Sequence, residues 1–202
     1  STNYNLALGF MLTFAIGAPI LFLLAAALAD GEVRRHETQL RAMLGADYDA
    51  LARGDSTDEH YLGNELLAPD FSLEDAAGRS WRLSDHRGQI VVMNFWTVTC
   101  GPCVEEMPTL LDLSRILADR DDIELVTVTI DREWADVAGV VPLDGPLLVL
   151  RDADRSVTEE RFGTTLFPET WVSDPRGVIR LRVDGARDWS GAVALDAIES
   201  FL

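Results

Sequence analysis

Two cysteines occur in the 202 residues, Cys100 and Cys103, separated by Gly101 and Pro102. A pair at this spacing can close and reopen a disulfide, hold a structural position, or give two thiolates to a metal. Metal is the weakest of the three, because no second cysteine pair exists and His36, His60 and His86 all precede the motif. Haem attachment fails because Val104 stands where C-x-x-C-H requires histidine. Placement favours exchange chemistry. The motif falls between a β-rich apolar run and the start of a helical pattern, where the helix dipole and unpaired amides favour a thiolate at Cys100, below the free pKa of about 8.5. Cys100 would attack, and Cys103, one turn into the helix, would resolve the mixed disulfide.

The elements that must position this pair can be read on either side of it. Phe71 and Leu73, then Trp81 and Leu83, alternate with polar residues about a turn from Asp75 to Gly78, which predicts a β-hairpin. Residues 89–96 (QIVVMNFW) read as a strand buried on both faces. Helical spacing follows from Cys100 to about Arg120, with Pro108 expected to bend it. Residues 123–130 and 147–150 read as strands, 131–138 as a short helical excursion, and 156–162 as a helix with Asp154 as its cap. Residues 170–173 and 178–183 read as strands joined across Asp174-Pro175-Arg176-Gly177, and Ser190 as the cap of a closing helix through Phe201. The order predicts an α/β domain over 69–202, a mixed central sheet covered by helices on both faces.

Upstream, Leu6 to Ala29 runs 24 residues without a charge, long enough to cross a bilayer core of roughly 30 Å as a helix. A cleaved signal peptide is the other reading, with Ala27-Leu28-Ala29 as its small-residue site, but this apolar run is longer than such peptides use and no basic residue precedes it. The expected domains are therefore a membrane anchor at 1–29, an acidic, partly helical stalk at 30–68, and the α/β domain. Arg34, Arg35 and Arg41 follow the span, which by charge alone would put the domain in the cytoplasm, although a large folded domain dilutes that signal. Gly9, Thr13 and Gly17 share one helical face, where a second transmembrane helix could approach closely.

Composition narrows the partners. There are 34 acidic residues against 17 basic ones, all arginine, and the net charge of −17 excludes nucleic acid as an expected partner. Hydrophobic residues at 48% exclude a disordered chain, and two cysteines cannot staple a disulfide scaffold.

Ala68-Pro69-Asp70-Phe71, Asn94-Phe95-Trp96, Cys100-Gly101-Pro102-Cys103, Glu105-Glu106-Met107-Pro108 and Phe167-Pro168-Glu169-Thr170-Trp171 stand in this order along the chain. In these landmarks, from about Ala68 to Leu202, the chain resembles the membrane-anchored thioredoxin-like proteins of bacteria grouped around the ResA and TlpA thiol-disulfide oxidoreductases. The resemblance implies a thioredoxin-like fold with an N-terminal hairpin, a membrane tether, and a site on the periplasmic or extracytoplasmic side, against the arginine signal. It implies no cofactor beyond the Cys100–Cys103 disulfide. It also implies a cis proline at Pro168 facing the cysteines, with Thr99, Gly101, Pro102 and Phe167 lining the substrate groove. Expected partners are disulfide-bearing protein clients, such as apocytochrome c or copper-site assembly proteins, and a membrane thiol that donates electrons. The Gly-Pro spacer, as in thioredoxin, favours reduction of the client.

Departures qualify the transfer. Thr99 replaces a common Trp, so the rim of the site is less aromatic. Asn94 stands where cytosolic thioredoxins bury an acid, and an amide cannot accept the proton that Cys103 must lose. Water or a nearby carboxylate must take it; Glu105, Glu106 and Glu133 are the candidates, each a surface acid by default. Peroxiredoxins share the hairpin and a threonine three residues before the cysteine, Thr97, but have a proline where Met93 stands. Copper delivery lacks a histidine after the motif. The alternative to an enzyme is an accessory or assembly subunit of a membrane complex, docked through Gly9, Thr13 and Gly17.

Overall fold

The structure, a computed structural model, describes residues 66–202. The apolar run at Leu6 to Ala29, the Gly9, Thr13, Gly17 stripe and the 30–65 part of the stalk lie outside the described residues. Within them no helix is long and apolar enough to cross a membrane.

Seven strands form one sheet: β1 (Ser72–Asp75), β2 (Ser80–Arg82), β3 (Ile90–Trp96), β4 (Ile123–Thr129), β5 (Leu148–Arg151), β6 (Glu169–Ser173) and β7 (Ile179–Asp184), in the order β2-β1-β5-β4-β3-β6-β7. β3, β4 and β5 are parallel, whereas β6 and β7 return antiparallel on one side and the hairpin closes the other. β3 is central and buried at all seven positions, which is why its sequence lacks a polar alternation. Three α-helices follow the parallel strands and β7: α1 (Gly101–Ile116), α2 (Trp134–Ala138) and α3 (Ala192–Glu199).

Helices do not cover both faces equally, contrary to the expectation. Buried residues of all three α-helices pack in one cluster with Ile90, Val92, Trp96, Leu125, Val149 and Val172. The opposite face, carrying Val91, Met93, Phe95, Val128 and Trp171, is sealed by Phe71, Leu83, and Val157 and Phe162 of a short π-type turn. Phe162 meets Phe71, Phe95 and Trp171 at centroid distances of 5.1 to 5.7 Å, so aromatic bulk replaces a long helix there.

Both predicted turns form, each closed by an aspartate and a left-handed glycine. Asp75 Oδ1 accepts from the amides of Ala77 and Arg79 on either side of Gly78 (φ 74°), and Asp174 Oδ1 accepts from Arg176 and Val178 about Gly177 (φ 81°). Two caps differ from expectation. Asp154 takes only the Ser156 amide, whereas the buried Asp152 takes those of Val157 and Thr158. Ser190 Oγ donates to Asp188 Oδ1 at 2.7 Å, and α3 starts one residue later than expected, with Gly191 as its N-cap and no side-chain cap bond. The fold also begins before Pro69: the Ala68 amide donates to Gly177 O, and Leu67 bridges Val178. α1 runs through Pro108 and stops at Ile116, short of Arg120.

Candidate active site

β3 and β4 are parallel and end side by side at Trp96 and Thr129, so the residues that follow them converge at one sheet edge. Carboxyl ends of parallel strands are where α/β sheets place their sites. Asp131 ties the two ends together: its carboxylate accepts from Thr97 Oγ1 at 2.8 Å, Thr129 Oγ1 at 2.6 Å and the Val98 amide at 2.9 Å. The Cys100 amide donates back to Thr97 O at 3.1 Å, which turns the chain directly into α1.

Cys100 is the N-cap of α1 and is joined to Cys103 in a disulfide with Cα atoms 5.2 Å apart. Its Sγ accepts from the Cys103 amide at 3.2 Å. That amide is one of the orphan donors of a helix start, and Pro102 removes a competing one. On reduction the same donor and the dipole stabilise a thiolate at Cys100. Cys103 is fully buried whereas Cys100 is partly exposed, so an incoming disulfide meets Cys100 first.

One turn beyond Cys103, on the same face of α1, lies Glu106, and it is no surface acid. Only 3% exposed, it accepts from Asn94 Nδ2 at 2.9 Å, Trp189 Nε1 at 3.1 Å and the Arg187 amide at 3.0 Å. Burial outweighs these bonds and pushes its carboxyl above the usual range. Asn94, directly opposite Thr170 across β3 and β6, donates also to Thr170 Oγ1 at 2.9 Å, while its own Oδ1 is buried without a partner. Asn94 is therefore the donor that holds the acid, and Glu106 is the acid. Glu105 and Glu133, the other two relay candidates, are exposed.

Antiparallel pairing of β6 with β3 sets Glu169 opposite Phe95, which brings the preceding Phe167–Pro168 to the sheet edge that carries the cysteines. The Phe167–Pro168 peptide is cis. Phe167, like Cys100, packs against the buried cluster that contains Cys103 and shares a cleft with Thr99, whereas Gly101 and Pro102 are exposed and do not line that cleft. Sequence reading misses Trp189, Arg187, Thr170 and Asp131 as parts of the site. Nothing in their spacing marks them; only strand register and the return of the chain after β7 bring them in.

Comparison with known proteins agrees with this geometry. The family model described as AhpC/TSA matches residues 65–182. The thioredoxin-like protein YneN of Bacillus subtilis is 31% identical over 117 residues, covering 56% of this chain and 66% of that protein. The thiol-disulfide oxidoreductase ResA of Geobacillus thermodenitrificans is 31% identical over 121 residues, covering 58% and 67%. The matches thus span about two thirds of those relatives. Among solved structures, the thioredoxin domain of a thiol-disulfide oxidoreductase from Bacteroides vulgatus superposes with a TM-score of 0.55 at 25% identity, covering 69% of this chain and 98% of that one.

Proposed function

Because this chain belongs to the AhpC/TSA family and is a thiol-disulfide oxidoreductase within it, we propose that it works as a reductase of protein disulfides, tethered to a membrane through Leu6 to Ala29 with its domain on the extracytoplasmic side. The observation that carries the chemical part is a buried Cys103 one helical turn from a buried carboxylate, Glu106, with Cys100 presented at the helix start.

In the reduced protein the Cys100 thiolate attacks one sulfur of the client disulfide. A Cys100–client bond forms and the client's other cysteine leaves as a thiolate. Cys103 then loses its proton to Glu106 and attacks Cys100 Sγ, expelling the client's second thiolate. Two electrons pass to the client, and the chain is left with the Cys100–Cys103 disulfide. A dithiol donor on the membrane, of the kind the resemblance implies, reopens it. Pro168, lacking an amide hydrogen, leaves neighbouring main chain free to pair with an extended client. Clients of cytochrome c or copper-site assembly, which the resemblance implies, fit this chemistry.

Titration of the full chain in detergent against glutathione couples, with Cys100 and Cys103 followed by thiol labelling, tests the direction. A potential near that of thioredoxin, about −270 mV, supports the reductase, and one near about −120 mV makes the protein an oxidant.

A further inference from the structure

Beside Cys100 lies an open cleft of about 550 Å³, lined by Thr97, Thr99, Asp131, Arg132, Arg155 and Phe167 among others. Its position ties it to exchange: Thr99 directly precedes the attacking cysteine and Phe167 directly precedes the cis proline. Its charge is unusual for a chain of net −17. The one acid in that set, Asp131, commits both oxygens inward to Thr97, Val98 and Thr129. Arg132 is exposed and its guanidinium makes no ion pair among the described residues, while its main chain is fixed by Arg151, which donates to Arg132 O at 2.7 Å and lies over the Trp134 ring. Arg155 is held on the other wall by a left-handed backbone (φ 62°). Its pairing with Glu159 at 2.8 Å is solvent-exposed, so it is worth little and is easily shared with another carboxylate.

Resting on the disulfide-exchange reading above, we propose that this cleft is a specificity subsite for a carboxylate side chain of the protein client, received by Arg132 and Arg155. An extended client with its cysteine at Cys100 advances about 3.3 Å per residue, so a residue two or three positions away reaches the cleft wall. Guanidinium groups suit such a group because they bind carboxylates through paired donors. The overall negative charge does not oppose this at contact range, since screening confines distant charges to about 8 Å at physiological salt. Thr99, small and exposed, leaves the cleft open. The selected clients are thus those with Asp or Glu close to the disulfide cysteine.

The test uses the reduced full chain in detergent and three disulfide-cyclised peptides that differ only two residues from one cysteine, in Asp, Asn or Lys. The readout is the ratio of kcat/KM between peptides within each protein, so a general loss of rate cancels. Two exposed charge pairs predict Asp over Asn by about fivefold and Asn over Lys by a similar factor, fading at high salt. Arg132→Glu and Arg155→Glu, singly and together, are expected to erode and then invert this order. Equal rates for the three peptides, or a preference for Asp that survives the double reversal, overturns the proposal while leaving disulfide exchange in place. Failure to exchange with any peptide, and with hydroxyethyl disulfide, overturns the reductase reading and this subsite with it.

Discussion

Replacing Glu106 by Gln separates the acid's chemical role from its structural one. The carboxylate receives three hydrogen bonds, two from buried side chains and one from the half-buried Arg187 amide. Truncation to Ala would strand the Arg187 amide and Trp189 Nε1, each costing about 1–3 kcal/mol, and so risks the fold itself. Gln keeps an acceptor oxygen for those two, and its NH₂ can donate to Asn94 Oδ1, which is free of any partner, once that amide turns over. The expected stability change is therefore within about 1 kcal/mol near neutral pH. What Gln cannot do is take the proton from Cys103. A positioned general base contributes about 10²- to 10⁴-fold, and with water as the substitute acceptor a loss near the lower end, about 100-fold, is expected in the resolving step. The assay forms a mixed disulfide of Cys100 with thionitrobenzoate on the reduced protein and follows its release by Cys103 in a single turnover. Attack by Cys100 should change little, release should slow, and the variant's rate should climb with pH as solvent base takes over. Stability supplies an independent check. Burial raises the folded-state pKa of Glu106 above its ordinary 4.5, so the folded protein holds that proton more tightly than the unfolded chain. Stability then falls as pH rises from 4.5 through the folded-state value, a loss complete above it that the Gln variant lacks. Glu169 is raised in the same direction, but it is present in both proteins and cancels in the comparison. Release at the wild-type rate across neutral pH in the Gln variant would refute Glu106 as the proton acceptor.

Cys103→Ser should still react through Cys100 and accumulate the client as a stable mixed disulfide, seen as a shifted band on non-reducing gels, whereas Cys100→Ser should trap nothing. Asp131→Ala removes the acceptor for Thr97, Thr129 and the Val98 amide; a stability loss of about 2 kcal/mol by denaturant titration is expected, with slower attack by Cys100 because the loop entering α1 loses its anchor. Gly177→Ala imposes a side chain on a left-handed residue and displaces the Arg87 guanidinium. Since Arg87 is flexible the cost is expected to be only about 1–2 kcal/mol, read as a lowered melting temperature with exchange rates unchanged.

The sequence by itself determined the elements with strong local signals. β3 is legible because an unbroken β-rich run suits only a strand buried on both faces. The Asp75–Gly78 and Asp174–Gly177 turns are legible because aspartate and glycine are the residues such turns need. The cysteine pair is legible because its two-residue spacer and its place at a helix start are both properties of a short segment. Tertiary structure alone decided what depends on residues far apart in the chain. Glu106 reads as a surface acid until α1 packs on β3 and the return after β7 delivers Trp189 and Arg187. Asn94 changes from a lost acid to the donor holding a new one only through its register with Thr170. Asp131 and Arg132, which follow β4, and Arg155, which follows β5, line one cleft because these parallel strands end on one side of the sheet. Local pattern records which backbone a segment prefers; burial and charge at a site are set by neighbours that pattern does not contain.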